Sequence, residues 1–228
     1  MHRADPAPRS APAIALSVLL SALLLAGAAG AQSWPYVGGA AGFHYQQFPF
    51  GAYRGDFAAA GLPLDGPIVP DDLDQAVGGL YTSANDTTTA FWYAAVAQAD
   101  STVDLAVLWV RRPGGGLSPG DYPIDAIGRT VLFGYIDGIS DFTPPADPTN
   151  FDPAAWLDGL VCEHLFLALS GSVHVGSVSA LGWSGTFSGL AADPAPLMIS
   201  ISGGYFALNG LDVAVEQESW GGLKATFR

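Results

Sequence analysis

The sequence predicts an all-β protein: an antiparallel β-sandwich, with a closed β-barrel as the alternative, carrying one or two short helices. Three observations predict it. Short runs rich in β-branched and aromatic residues recur along the chain, separated by Gly, Pro, Asp and Asn. Helical periodicity is scarce after the first 31 residues. No period of fixed length repeats, so neither a solenoid nor a propeller is indicated. Many short strands with close turns suit a sandwich or a barrel.

The first 31 residues read as a leader. Arg3 and Arg9 precede the apolar run "AIALSVLLSALLLAG", and Ala29 and Ala31 occupy the small-residue positions of an A-x-A cleavage site. That order is a secretory signal peptide, cleaved between Ala31 and Gln32. The apolar run is shorter than the ~20 residues a spanning helix needs. Residues 32–42 then form an N-terminal segment, and residues 43–228 a single domain, a length ample for one core and short for two.

Strands are expected near Phe43–Phe48, Tyr53–Ala59, Thr89–Ala99, Val103–Val110, Thr130–Asp137, Val161–Leu169, Val173–Leu181, Gly185–Ala191, Leu197–Leu208 and Leu211–Glu216. "FWYAAVAQADSTVDLAVLWV" folds back at Ala99–Thr102, and its long apolar arms belong near the centre of a sheet. "YFALNGLDVAV" places Asn209-Gly210, which tolerate the positive φ of a type I′ turn, between two strand-like runs. "RRPGGGLSPGDYP" reads as a turn-rich loop and an edge crossing. "DPAAWLDG" offers Asp152 as N-cap, Pro153 at the first helical position and Gly159 as terminator. "PDDLDQAVGG" predicts one helical turn after Pro70. At the C-terminus, Trp220, Leu223 and Phe227 of "SWGGLKATFR" recur at helical spacing and predict a segment docked onto the domain.

"GSVHVGSVSALGWSGTFSGL" followed by "LMISISGGYFAL" resembles the C-terminal half of uncharacterised exported bacterial β-sandwich proteins. In those, a G-x-V-x-V strand leads to an S-G-T-F-S strand and then to an alternating strand ending in G-x-F. The resemblance covers the last third of the chain. It implies a fold type and export, and carries no catalytic residues.

Charge narrows the partners. Eight basic residues face 21 acidic ones, for a net charge of −13. Such a surface repels nucleic acid and anionic membrane, which leaves an extracellular or cell-envelope ligand as the expected partner. The single cysteine cannot form an internal disulfide. An Ala-, Gly- and Pro-rich composition with one lysine suggests a bacterial source.

The chain's one cysteine and two of its four histidines fall in "LVCEHLFLALSGSVHVGSV". Read as a hairpin turning at Ser170–Ser172, this stretch places Cys162 and His164 on one strand face. His174 then lies opposite residue 168 or 169, roughly 13–16 Å from His164 at ~3.3 Å per residue. Zinc–nitrogen bonds are about 2 Å, so the two histidines cannot share a metal. A Cys162–His164 nucleophile also needs an orienting partner and an oxyanion site, and no motif supplies them. A buried or half-buried structural thiol is the expectation; an exposed one would invite dimerisation.

Other motifs fall short. Arg54-Gly55-Asp56 is an adhesion tripeptide, but Tyr53, Gly55 and Phe57 alternate as in a strand. Asp71, Asp72 and Asp74 miss the EF-hand pattern, since Ala76 and Val77 stand at its fifth and sixth positions. Asp137, Asp141, Asp147 and Asp152 around a Pro-rich loop leave calcium open as a ligand, and no other cofactor is indicated. Asn85 heads a glycosylation sequon. "GWSG" around Ser184 lacks the nucleophile-elbow pattern and precedes a strand. No catalytic, cofactor-binding or metal residue is assigned.

The sequence therefore predicts a secreted or periplasmic binding, adhesion or structural protein. One alternative is a small hydrolase acting on glycan or peptide through paired Asp residues, with Trp156 and Trp183 lining a cleft. Another is an outer-membrane β-barrel, against which stand the lack of a steady lipid-out alternation and the terminal Arg228.

Overall fold

The structure is a computed structural model that describes residues 38–61, 74–82, 87–113, 116–125, 130–143, 153–179 and 182–208. Within them run β1 (Gly39–Gln47), β2 (Arg54–Gly61), β3 (Asp74–Thr82), β4 (Thr87–Ala97) and β5 (Val103–Pro113). There follow β6 (Gly120–Asp125), β7 (Val131–Ile139), helix α1 (Pro153–Asp158), β8 (His164–Ser179), β9 (Gly182–Ala192) and β10 (Met198–Leu208).

All ten strands belong to one antiparallel sheet, in the order β2-β1-β10-β9-β8-β7-β5-β4-β3, with β6 paired to β8. The end strands β2 and β3 lie against each other, so the sheet is nearly closed. Closure removes most of the exposed edge that an open sheet would present. The all-β antiparallel expectation holds, and opposite walls of this sheet face each other across one core.

Strand alternation fills that core. Phe43 of β1 meets Phe133 and Tyr135 of β7, with ring centroids 5.5 and 5.4 Å apart. Phe187 of β9 lies 4.9 Å from Phe133, and Phe206 of β10 lies 4.5 Å from Trp183. Trp92 of β4 reaches Phe187 and Phe206 from the opposite wall. Burying such side chains stabilises by ~1.5–3 kcal/mol each.

The long apolar arms β4 and β5 are buried on both faces. Trp92, Ala94, Ala106 and Leu108 point into the barrel, whereas Phe91, Tyr93, Leu105 and Val107 point outward into a second core. Helix α1 covers that outer core: Leu157 is buried and the Trp156 ring lies 5.1 Å from Tyr93. Pro153 starts the helix with its pre-set φ, and the amides of Gly159 and Leu160 close its last turn on Trp156 and Leu157. The β4–β5 turn forms where expected. Gln98 N donates to Thr102 O at 2.8 Å, Ser101 takes φ 71°, and Asp100 Oδ1 accepts from the Thr102 amide and hydroxyl.

Three expectations need correction. The stretch from Leu160 to Val178 is no hairpin: β8 is one continuous strand, and Ser170–Ser172 stays in the sheet between β6 and β9. A bulge at Leu169 changes the alternation, so Phe166 and Ala168 share the interior with Val173 and Val175. Gly171 takes φ 138° there, and a Cβ on it would come 2.1 Å from Ser188 O, so the Gly that suggested a turn serves close strand packing. Second, the latter part of "PDDLDQAVGG" is strand and not helix: Asp74–Thr82 forms β3 because the apolar edge of β4 takes it as a partner, and residues 70–73 lie outside the described residues. Third, the loop read at Arg111–Pro123 contains the end of β5 and most of β6, whose Tyr122 and Ile124 are buried in the core. β1 also begins at Gly39, inside the segment assigned to residues 32–42. The leader with its Ala31–Gln32 cleavage point, the Asn209-Gly210 turn, the strand at Leu211–Glu216 and the C-terminal segment lie outside the described residues.

Candidate functional site

The antiparallel topology gives the barrel two ends of opposite chemistry. At one end meet the β1–β2 connection, the β4–β5 turn, the described residues between β7 and β8, and the β9–β10 turn. Its interior is polar. At the other end the interior is lined by Ala41, Ala90, Val110, Val131, Trp183 and Leu208.

The polar end is built around Asp104. Strand alternation puts it inward, in line with Ala106 and Leu108 on β5, and it is 6% exposed. Its Oδ2 accepts from Gln98 Nε2 at 2.7 Å and from the Tyr135 hydroxyl at 3.1 Å. Its Oδ1 accepts from the Gly138 amide at 3.2 Å. Gly138 has φ 67°, a conformation that favours glycine and that turns its N–H toward the carboxylate. Hydrogen bonds to a charged group contribute ~1.5–3 kcal/mol each, which offsets much of the cost of burying a carboxylate.

A second carboxyl, Asp137 of β7, neighbours Asp104, since the next residue along the strand, Gly138, gives its amide to Asp104 Oδ1. Asp137 Oδ2 also accepts from the Tyr53 hydroxyl at 2.5 Å. Burial pushes the Asp104 carboxyl up to about 6; the Gly138 amide opposes this and the Asp137 charge adds to it. Burial also raises the hydroxyls of Tyr53 and Tyr135 well above the usual tyrosine range, with Asp137 reinforcing the first and Asp104 the second. Both therefore remain donors at any working pH. Tyr45 joins through its ring, which lies 5.1 Å from Tyr135 and 5.4 Å from Tyr53.

His164 extends the group. Its Nδ1 lies 2.6 Å from Asp193 Oδ2, and its ring lies 5.6 Å from Tyr53. Side chains from β1, the β1–β2 connection, β5, β7, β8 and the β9–β10 turn thus converge on one cluster. Chemically, the cluster holds two carboxyls and three phenols in fixed positions.

The structure separates residues that the sequence groups together. Cys162 precedes β8, so strand alternation does not apply to it. It packs against the outer core, half-buried, while His164 faces Tyr53 and Phe166. Burial pushes the thiol up to about 11, with Asp193 and Asp137 contributing, which leaves it protonated and a poor nucleophile. His174 sits ten residues from His164 along the same strand and pairs with Asp121 at 2.7 Å. Asp137 lies in the barrel wall and not in the Pro-rich loop; Asp141 is exposed, and Asp147 and Asp152 lie outside the described residues, as do Asp71 and Asp72. Among the described residues, no group of three His, Cys, Asp or Glu is placed to hold a metal ion. Arg54-Gly55-Asp56 lies within β2, paired to β1, and Asp56 bonds to His44 at 3.0 Å. Trp183 is buried in the core and Trp156 covers the outer core, so neither is a free sugar-stacking ring.

Sequence reasoning missed Asp104, Tyr135 and Tyr53. The readable signal was Asp104 itself, a lone charge in the apolar arm "TVDLAVLWV". A carboxylate there must be satisfied by something, and only the fold shows by what. Comparison with known proteins finds no matching family model, no similar curated protein and no similar solved structure.

Proposed function

We propose that the protein is exported and acts in the extracellular space or periplasm as a binding, adhesion or structural module. The supporting observation is the filled barrel. Interlocked rings of Phe43, Phe57, Trp92, Phe133, Phe187 and Phe206 occupy the interior, so a ligand meets the protein at its ends or outer walls. The outer-membrane alternative is weaker on the same grounds. His174, Thr186, Ser188 and Ser202 face outward, exposed and polar, whereas a lipid-facing wall needs an apolar band.

Thermal shift of the purified protein against soluble glycans, lipids, peptides and calcium tests this reading. A native-state binder raises the melting temperature by mass action. Turnover of a defined substrate, abolished by one point substitution, would overturn it.

The Asp104–Asp137 pair favours a second reading, a hydrolase. The two carboxyls are neighbours at one end of the barrel, the kind of pairing that acid–base hydrolysis of glycan or peptide uses. Peptide-library hydrolysis by the parent protein, absent in Asp137→Asn, is the result that would select it.

A further inference from the structure

We propose that the polar end of the barrel docks a cationic polypeptide segment that carries both Lys or Arg and apolar side chains. This rests on the binding-module reading and adds to it a place and a partner chemistry. Two independent features of that end carry the inference.

The first is exposed apolar surface. Among the described residues, the exposed large hydrophobic side chains are Phe50 (90%), Val161 (58%), Phe48 (47%) and Leu169 (42%). Phe48 and Phe50 stand on the β1–β2 connection, Val161 leads into β8, and Leu169 bulges from the nearer part of β8. None belongs to the apolar end. The connection is held at its base: Gln47 N donates to Tyr53 O, Phe48 N donates to Met198 O, and the Tyr53 hydroxyl is tied to Asp137. Tyr53 also packs on His164 and Phe166, which sets the connection beside the entry to β8. The phenyl rings are thus presented on an anchored loop, and ordering them costs a partner little.

The second feature is charge. Asp100, Asp141 and Glu163 are exposed around the same end, with Asp137 and Asp193 behind them. Arg54 is the one described Lys or Arg side chain there; Arg111 and Arg112 sit toward the far end of β5. Exposed apolar side chains and carboxylates gathered at the same end match a partner that carries both cations and apolar groups. They disfavour an anionic lipid surface, which the carboxylates repel.

The test uses fluorescence anisotropy at 0.15 M salt with three labelled decapeptides that alternate Leu with Lys, Ser with Lys, and Leu with Glu. The Leu–Lys peptide is expected to bind at least tenfold tighter than Ser–Lys, and Leu–Glu not at all. The double variant Phe48→Ser/Phe50→Ser should keep its melting temperature and lose at least tenfold in affinity for Leu–Lys. Asp141→Asn with Glu163→Gln should weaken binding severalfold and flatten its salt dependence. Equal binding by the double variant, or by Ser–Lys, overturns the proposal. So does capture of the parent by neutral phosphatidylcholine vesicles with the same dependence on Phe48 and Phe50, which would assign the rim to membrane. A stabilising compound in the thermal-shift screen, together with equal Leu–Lys binding by parent and double variant, would leave the binding-module reading standing and sink this one.

Discussion

The two ends of the barrel are built from the same strands and held together by opposite means. At the apolar end, Trp183 and Phe206 pack ring on ring, and the indole nitrogens of Trp92 and Trp183 are buried without a hydrogen-bond partner. At the polar end, Gln98 and Tyr135 satisfy Asp104, and Tyr53 satisfies Asp137. One end is stabilised by excluding water from apolar area and accepts a few unmet donors. The other retains polar groups in the interior and depends on each bond being made. The lesson is that a truncation costs stability at each end for a different reason: a cavity at one, an unmet carboxyl at the other.

Trp183→Ala is the largest test of that contrast. The indole is fully buried, so its loss leaves a cavity, and chemical denaturation should show ~3–5 kcal/mol of lost stability. Tyr135→Phe removes one oxygen at the polar end and leaves the Asp104 carboxyl short of a donor. A loss of ~1–3 kcal/mol by the same measurement is expected, and no loss would mean the network is dispensable.

The pH dependence isolates Asp104. Its carboxyl is raised to about 6 in the folded protein from an ordinary 3.8. Between those values the native state binds more protons than the unfolded one. Stability should therefore fall as pH rises from about 4 to about 6 and level off above. Urea midpoints across that window should show the slope in the parent and a flatter line in Asp104→Asn. The smallest effect belongs to Tyr93→Phe in the outer core. The Tyr93 hydroxyl is buried without a partner, so its removal should be neutral or stabilise by up to ~1 kcal/mol. If Tyr93→Phe and Tyr135→Phe cost the same, the contrast between satisfied and unmet hydroxyls fails.

Most of the walls were legible in the sequence. β1, β2, β4, β5, β7, β9 and β10 fall where apolar and β-branched runs predict them, and α1 falls where Pro153 and Gly159 bracket it. The turn at Ala99–Thr102 was legible because Asp100 and Ser101 carry turn chemistry locally. β3 was not, because "DQAVGGLYT" has weak strand character and becomes a strand by pairing with β4. β8 was misread because Ser170-Gly171-Ser172 has the composition of a turn. Its extended path depends on β6 and β9 holding it from both sides.

By itself the sequence determined the fold class, the acidic surface and which strands are buried on both faces. Alternation and composition are local properties and survive without knowledge of the partners. The tertiary structure decided everything that depends on closure: which strand ends meet, that Asp104 faces Asp137, and that Tyr53 reaches across 84 residues to bond with it. The physical reason is that a buried carboxyl has no meaning along the chain. Its partners come from other strands, and only register and barrel closure bring them within hydrogen-bonding distance.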